Sequence, residues 1–136
     1  MKQTFVMCKP DAVERGLVGE IVGRLERKGL RLVAAELRWA DKALVEAHYA
    51  EHARRDFYDR LVTFLTRSPV FAMVVEGPAD NTFSIVRAMV GATSVDDALP
   101  GTIRGDLAVV TAENLVHASD SHESAERELA LWFPDL

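Results

Sequence analysis

Cys8 is the only cysteine in a chain of 136 residues. No internal disulfide can form, and the setting of Cys8 in "TFVMCKP" reads as a buried strand, so a reducing cytoplasm is the expected compartment. No stretch approaches the roughly 20 consecutive apolar residues that cross a bilayer, and the N-terminus lacks the apolar region of a signal peptide. Membrane spanning and secretion are not expected. Internal repeats and low-complexity linkers are missing, as is the common Gly-rich P-loop pattern, so any nucleotide site must work differently. Positive charge is in deficit: 16 Lys and Arg stand against 21 Asp and Glu, a formal net charge of −5. That balance opposes broad attraction to nucleic acid or anionic lipid and leaves only a local basic pocket for an anionic ligand.

What remains is the composition of an ordinary globular protein, 49% hydrophobic and 27% charged. A chain of this length buries roughly two thirds of its unfolded surface, enough for one domain over residues 1–136. Gln3 to Cys8 reads as a first strand, ended by Pro10, which cannot donate to a sheet ladder. Ile21, Val22 and Leu25 recur at helical spacing between Gly19 and Lys28, with Gly29 as the stop. Leu30 to Trp39 reads as a strand of mixed periodicity. "DKALVEAHYAEH" opens on a capping Asp and places Leu44, Val45 and His48 on one side of a helix, and "RDFYDRLVTFLTR" continues as another. "VFAMVVEG" is a strand covered on both faces, and Asn81 to Val90 is a helix stopped by Gly91.

A long loop without secondary structure is expected at 91–106, a length that often marks function. "DLAVV" at 106–110 reads as a further strand. Asp120 with Glu123 forms a capping box for a final helix bearing Ala125, Leu129 and Trp132. The alternation of strands and helices predicts an α/β or split βαβ arrangement with helices packed on a sheet.

The chemistry concentrates in a few places. His117 follows the last expected strand and precedes the capped helix, where backbone N–H groups attract anions. Glu128 borders the apolar stripe of that helix, from which its carboxylate can point back and fix the imidazole tautomer, leaving the other nitrogen as base or nucleophile. On spacing alone a turn histidine with a surface glutamate is the commoner arrangement. Lys9, Arg87 and Arg104 each lie at or near an element end, and Arg104 sits in "PGTIRGD", whose glycines let backbone approach a ligand. Converging, such cations hold polyphosphate; singly, each reads as a solvated charge. "HYAEH", His48 to His52, matches the H-x-x-E-H pattern of inverted zinc proteases, but five residues without a third ligand read as a chance match.

"CKPDAVERGLVGEI", "HYAEH", "PGTIRGD", "NLVHASDS" and "ESAERELALWF" together resemble the nucleoside diphosphate kinase family, in order from about Thr4 to Phe133. The resemblance implies a ferredoxin-like βαββαβ sandwich of the α/β (α+β) class. Its antiparallel sheet would be covered by helices, with an extra helical hairpin and an oligomer-associated loop at 91–106. It implies transfer of the γ-phosphate of a nucleoside triphosphate to a nucleoside diphosphate through a phosphohistidine, with ping-pong kinetics, maintaining NTP and dNTP pools. His117 would be the nucleophile, Glu128 its orienting group, and Ser119 an aid nearby. Lys9, Arg55, Arg87, Thr93 and Arg104 would bind phosphates; Tyr49 would support the phosphate, Asn114 would meet sugar and phosphate, and Phe57 would stack on the base. Mg²⁺ would arrive with the nucleotide, bridging phosphates without a protein metal cage. ATP and other NTPs and NDPs are the implied partners, and a homo-oligomer, hexamer or tetramer, the implied assembly.

Three positions depart from the family's pattern. Ala118 stands where glycine is usual, Asp56 where proline precedes the aromatic pair, and Val95 where proline is common. They motivate a rival reading, a catalytically weak nucleotide-binding regulatory module.

Overall fold

The structure is a computed structural model describing residues 2–50, 53 and 56–136. Its frame is a four-stranded antiparallel sheet built from β1 (Gln3–Cys8), β2 (Arg31–Arg38), β3 (Val70–Glu76) and β4 (Val116–Ala118), in the order β2-β3-β1-β4. α1 (Pro10–Glu14) and α2 (Val18–Arg27) join β1 to β2, and α3 (Lys42–His48) and α4 (Tyr58–Thr66) join β2 to β3. α5 (Thr82–Val90) and α6 (Ile103–Leu107) lie between β3 and β4, and α7 (His122–Trp132) closes the chain. This is the ferredoxin-like α+β order, with α3 and α4 as the added helical hairpin.

The two-residue period of a strand decides what each face meets. In β1, Phe5 and Met7 point to a core shared with Val45, Val62, Leu65 and Trp132, while Val6 and Cys8 point to one shared with Ile21, Leu25, Val86 and Val90. Helices therefore cover both faces, and β1 and β3 read as near-continuous apolar runs for that reason. β4 obeys the same register. His117 is opposite Met7 and Ala118 opposite Val6, which sends the His117 imidazole to the face carrying α3 and α7.

Several sequence expectations are corrected here. The strand expected at 106–110 does not form: Asp106 and Leu107 end α6, and Val110 makes only an isolated bridge with Glu113. Val109 and Val110 are 80% and 54% exposed, so this apolar run faces outward. The last strand is the three-residue β4, and His117 lies inside it rather than after it. The loop at 91–106 is not structureless, since it contains a 3-10 turn at Val95–Asp97 and the start of α6, where the Thr102 hydroxyl accepts the Gly105 N–H. The cap of α7 is Ser121, which accepts the Ser124 N–H; Asp120, one residue earlier, accepts the Ser124 hydroxyl. Pro10 does end β1, but it also occupies the first turn of the unforeseen α1, where its missing N–H costs nothing.

Candidate active site

A backbone turn with a rare conformation introduces β4. Leu115 has φ +76°, alone among the described non-glycine residues in the left-handed region, and the Val116 N–H closes on the Asn114 carbonyl at 2.9 Å. Arg104, only 3% exposed, braces this segment by donating to the carbonyls of Asn114 (3.2 Å), Val116 (2.5 Å) and Gly91 (3.1 Å). Gly91 permits the approach: its φ is +92°, and a Cβ there would lie 2.5 Å from the Thr102 hydroxyl oxygen. The Asn114 side chain accepts from Lys9 Nζ at 2.9 Å and donates to the Thr93 carbonyl at 3.0 Å. Arg87 reaches across from α5 to the Ala118 carbonyl at 2.9 Å.

His117 Nε2 lies 2.8 Å from Glu128 Oε1, which also accepts the Ser119 hydroxyl at 2.7 Å. A carboxylate only accepts, so the imidazole donates from Nε2, and in the neutral ring the lone pair is the one on Nδ1. Glu128 is buried on α7 and Ser119 is fully buried, so the groups that hold the imidazole are shielded from solvent. Phe5 and His48 pack against the His117 ring, with centroids 5.8 and 4.6 Å away.

These groups line a cavity of about 240 Å³ with Lys9, Tyr49, Arg87, Thr93, Arg104, Asn114, His117 and Glu128 in its wall. A second, more apolar cavity of about 610 Å³ adjoins it, bordered by Phe57, Leu61 and Phe64 and sharing Lys9, Thr93 and Asn114 with the first. Of the residues expected from sequence, eight thus meet in one cavity. Ser119 stands behind it through Glu128, Phe57 lies in the adjoining cavity, and Arg55 falls outside the described residues.

Electrostatics match an anion site. Burial, reinforced by Arg104 nearby, lowers the Lys9 ammonium to about 8, so it is charged at neutral pH and loses its proton as pH passes that value. Burial and then Arg87 lower Arg104 to about 10, which leaves it charged as well. Burial raises the Tyr49 phenol to about 12, followed in effect by the Glu128 charge, keeping its proton as a donor.

Sequence reading missed His48 as a site residue. It is buried, accepts the Trp132 indole N–H on Nδ1 at 3.1 Å, and stacks edge-on against His117. Its place on the apolar side of α3 beside Val45 was the available signal, since a histidine there must find partners inside. The second histidine of "HYAEH", His52, lies outside the described residues. Asp120 and Ser124, at the start of α7, also line the cavity without having been singled out.

The departures from pattern are accommodated. Ala118 pairs with Val6 in extended backbone without positive φ, so its methyl fills core space that a glycine would leave empty. Val95 donates its N–H to the Thr111 hydroxyl at 3.0 Å, a bond proline could not make. Asp56 is exposed in the turn before Phe57. The first of these removes the main structural motive for a weakened enzyme.

A cavity that gathers Lys9, Arg87 and Arg104 around the same space as the His117 imidazole suits the displacement of a phosphoryl group, in which a protein chiefly positions reactants and neutralises charge. The fold and site define a phosphotransferase. The profile of the nucleoside diphosphate kinase family matches residues 2–136. A nucleoside diphosphate kinase from Saccharopolyspora erythraea is 56% identical over 136 residues, covering 99% of this chain and 98% of that protein. One from Archaeoglobus fulgidus is 55% identical over 135 residues, covering 99% and 88%. The solved structure of the Halobacterium salinarum enzyme in complex with CDP superposes with a TM-score of 0.93 at 50% identity, covering 98% of this chain and 88% of that one. The chain belongs to the nucleoside diphosphate kinase family, and it is an enzyme that transfers phosphate between nucleoside triphosphates and diphosphates.

Proposed function

We propose that His117 carries the phosphate. The observation behind this reading is the 2.8 Å contact of its Nε2 with Glu128, itself held by Ser119, which leaves Nδ1 as the nucleophile in a cavity walled by Lys9, Arg87 and Arg104. The Nδ1 lone pair attacks the γ-phosphorus, the bond from that phosphorus to the β,γ-bridging oxygen breaks, and the nucleoside diphosphate leaves. A terminal oxygen of a second diphosphate then attacks the same phosphorus and breaks the P–N bond, regenerating neutral His117. Lys9 and Arg87 bind phosphate oxygens, Tyr49 donates to them, and Asn114 and Thr93 meet the sugar–phosphate junction; Arg55 completes the phosphate side. Arg104 contributes charge from behind while its donors hold the loop.

Phe57 stacks on the base above the adjoining cavity, and a single aromatic face accounts for broad base tolerance. The CDP held by the Halobacterium relative is of this ligand class. Mg²⁺ fits as a companion of the nucleotide. The cavity's own carboxylates are engaged, Glu128 with His117 and Ser119 and Asp120 with Ser124, and the His48, His117 and Glu128 donor set is too nitrogen-rich for this hard ion. When bound, Mg²⁺ neutralises charge on the phosphates. Nuclear magnetic resonance of ¹⁵N-histidine-labelled phosphoenzyme tests the tautomer argument: phosphorus coupling to Nδ1 is expected, and coupling to Nε2 would overturn it.

The reading includes a homo-oligomer, of cytoplasmic location and with residues 1–136 acting as one domain. Leu37 and Trp39, 60% and 63% exposed, lie on and just beyond β2, a sheet edge, and Leu99 within the 91–106 segment and Val109 just after it are 71% and 80% exposed. A second copy covering these apolar side chains offsets their exposure. Sedimentation velocity is expected to give a hexamer or tetramer; a monomer at micromolar concentration would reject this assembly. Among the described residues no helix is long and apolar enough to cross a membrane.

A further inference from the structure

Asp11 is a buried acid that phosphate transfer as described does not use. It is 1% exposed in α1, two residues after Lys9. Its Oδ2 accepts the backbone N–H of Leu115 at 3.0 Å, and the Leu115 carbonyl in turn accepts the Lys9 N–H at 2.8 Å. Both polar groups of the left-handed residue are therefore tied to the Lys9–Asp11 segment, 104 positions away in sequence for the Asp11 bond.

The restrained turn has leverage. A non-glycine residue at φ +76° in a three-residue turn is strained and persists only where its surroundings hold it. Asn114, which meets the Lys9 ammonium, immediately precedes Leu115, and His117 follows two residues later. Relaxing the turn would alter the register of β4 entering its pairing with β1, and with it the distance from His117 to the phosphate wall. The second Asp11 oxygen, Oδ1, is buried with no hydrogen-bond partner, an expense that packing alone would remove by substituting an apolar residue.

We propose that Asp11 is a positioning residue, whose carboxylate latches the strained Leu115 turn so that His117 and the Asn114–Lys9 pair stand in register for phosphoryl transfer. The charged groups around it agree with a second effect on Lys9. Burial raises Asp11 above the usual carboxylate range, the Lys9 charge opposes that, and Glu113 adds to it; Asp11 in turn favours the charged form of Lys9 against Arg104 and raises buried Cys8. Removing the negative charge shifts the Lys9 proton loss to lower pH.

This inference rests on His117 as the nucleophile. The test compares wild type, Asp11→Asn and Asp11→Ala by rapid-quench phosphorylation with Mg·ATP at saturation, and by ADP affinity from pH 6.5 to 9.5. Asp11→Asn keeps an oxygen for the Leu115 N–H. It should phosphorylate within about threefold of wild type, with the alkaline loss of ADP affinity moved to lower pH. Asp11→Ala loses the latch and should phosphorylate on the order of 10- to 100-fold more slowly at saturating nucleotide, the scale of a small misplacement of a reacting group. An Asp11→Ala protein that folds and phosphorylates at the wild-type rate overturns the proposal, whatever its melting temperature. If Asp11→Ala fails to fold, Asp11→Leu decides, since it fills the same space without accepting the Leu115 N–H: phosphorylation slowed on the same 10- to 100-fold scale supports the latch, and a wild-type rate rejects it. A wild type that forms no phosphoenzyme fails the His117 reading instead, so the two failures are distinguishable.

Discussion

His117→Gln is expected to bind ADP within about threefold of wild type, melt within a few degrees of it, and lose phosphotransfer by at least ~10⁴-fold, as removal of a covalent nucleophile does. Glutamine retains a polar group facing Glu128 and most of the contact with Phe5 and His48, so fold and nucleotide site survive. What disappears is the imidazole lone pair. Steady-state transfer from ATP to a second diphosphate, measured beside ADP affinity by calorimetry, separates the two effects. A loss of binding equal to the loss of turnover would show that the imidazole serves the pocket rather than the reaction.

Arg104→Ala should produce the largest loss of stability. Its guanidinium fills three backbone acceptors at once, on Gly91, Asn114 and Val116, in a setting 3% exposed. Each carbonyl left buried without a partner costs about 1–3 kcal/mol, and the three together about 3–5 kcal/mol because the loop relaxes. For a chain of this size that lowers the melting temperature by roughly 10–20 °C. Nucleotide affinity should fall with it, since the segment carrying Asn114 loses its brace on one side and the cavity loses a charge. Arg104→Lys retains the charge but not the planar fork, and should fall between. A melting temperature within 2 °C of wild type for Arg104→Ala would refute this role.

How much of this was legible in the amino acids depended on the range of the forces involved. β1, β3, α2 and α5 were readable to within a residue or two, because continuous apolar runs and 3.6-residue periodicity are imposed locally by the layers they enter. β4 was not readable. Three residues carry no pattern of their own, and Val116–Ala118 is a strand only because Val6, Met7 and Cys8 offer it a partner. "DLAVV" misled for the converse reason: Val109 and Val110 are apolar but exposed, so hydrophobicity there answers to something other than the sheet. The final helix was placed, yet its cap moved from Asp120 to Ser121, since two adjacent capping residues are separable only by backbone geometry.

The site divides in the same way. Helix spacing put Glu128 within possible reach of His117, yet on spacing alone a turn histidine with a surface glutamate was the commoner arrangement, and Lys9, Arg87 and Arg104 read singly as surface charges. Only the order β2-β3-β1-β4, which sets β4 beside β1, brings Lys9 and Asn114 within 2.9 Å across 105 positions of sequence. The family resemblance supplied that convergence in advance; composition and periodicity could not. His48 and Asp11 escaped because their roles are made by tertiary contacts, with Trp132 and His117 in one case and the Leu115 amide in the other.

The most direct test is to treat the wild-type protein with Mg²⁺ and γ-labelled ATP, remove all nucleotide, and add unlabelled GDP alone. Acid-labile label on the protein, absent from His117→Gln and discharged quantitatively to GTP, is the predicted result. Label that never appears on the protein, while ATP and GDP present together still yield GTP, would contradict the account and require direct transfer between two bound nucleotides.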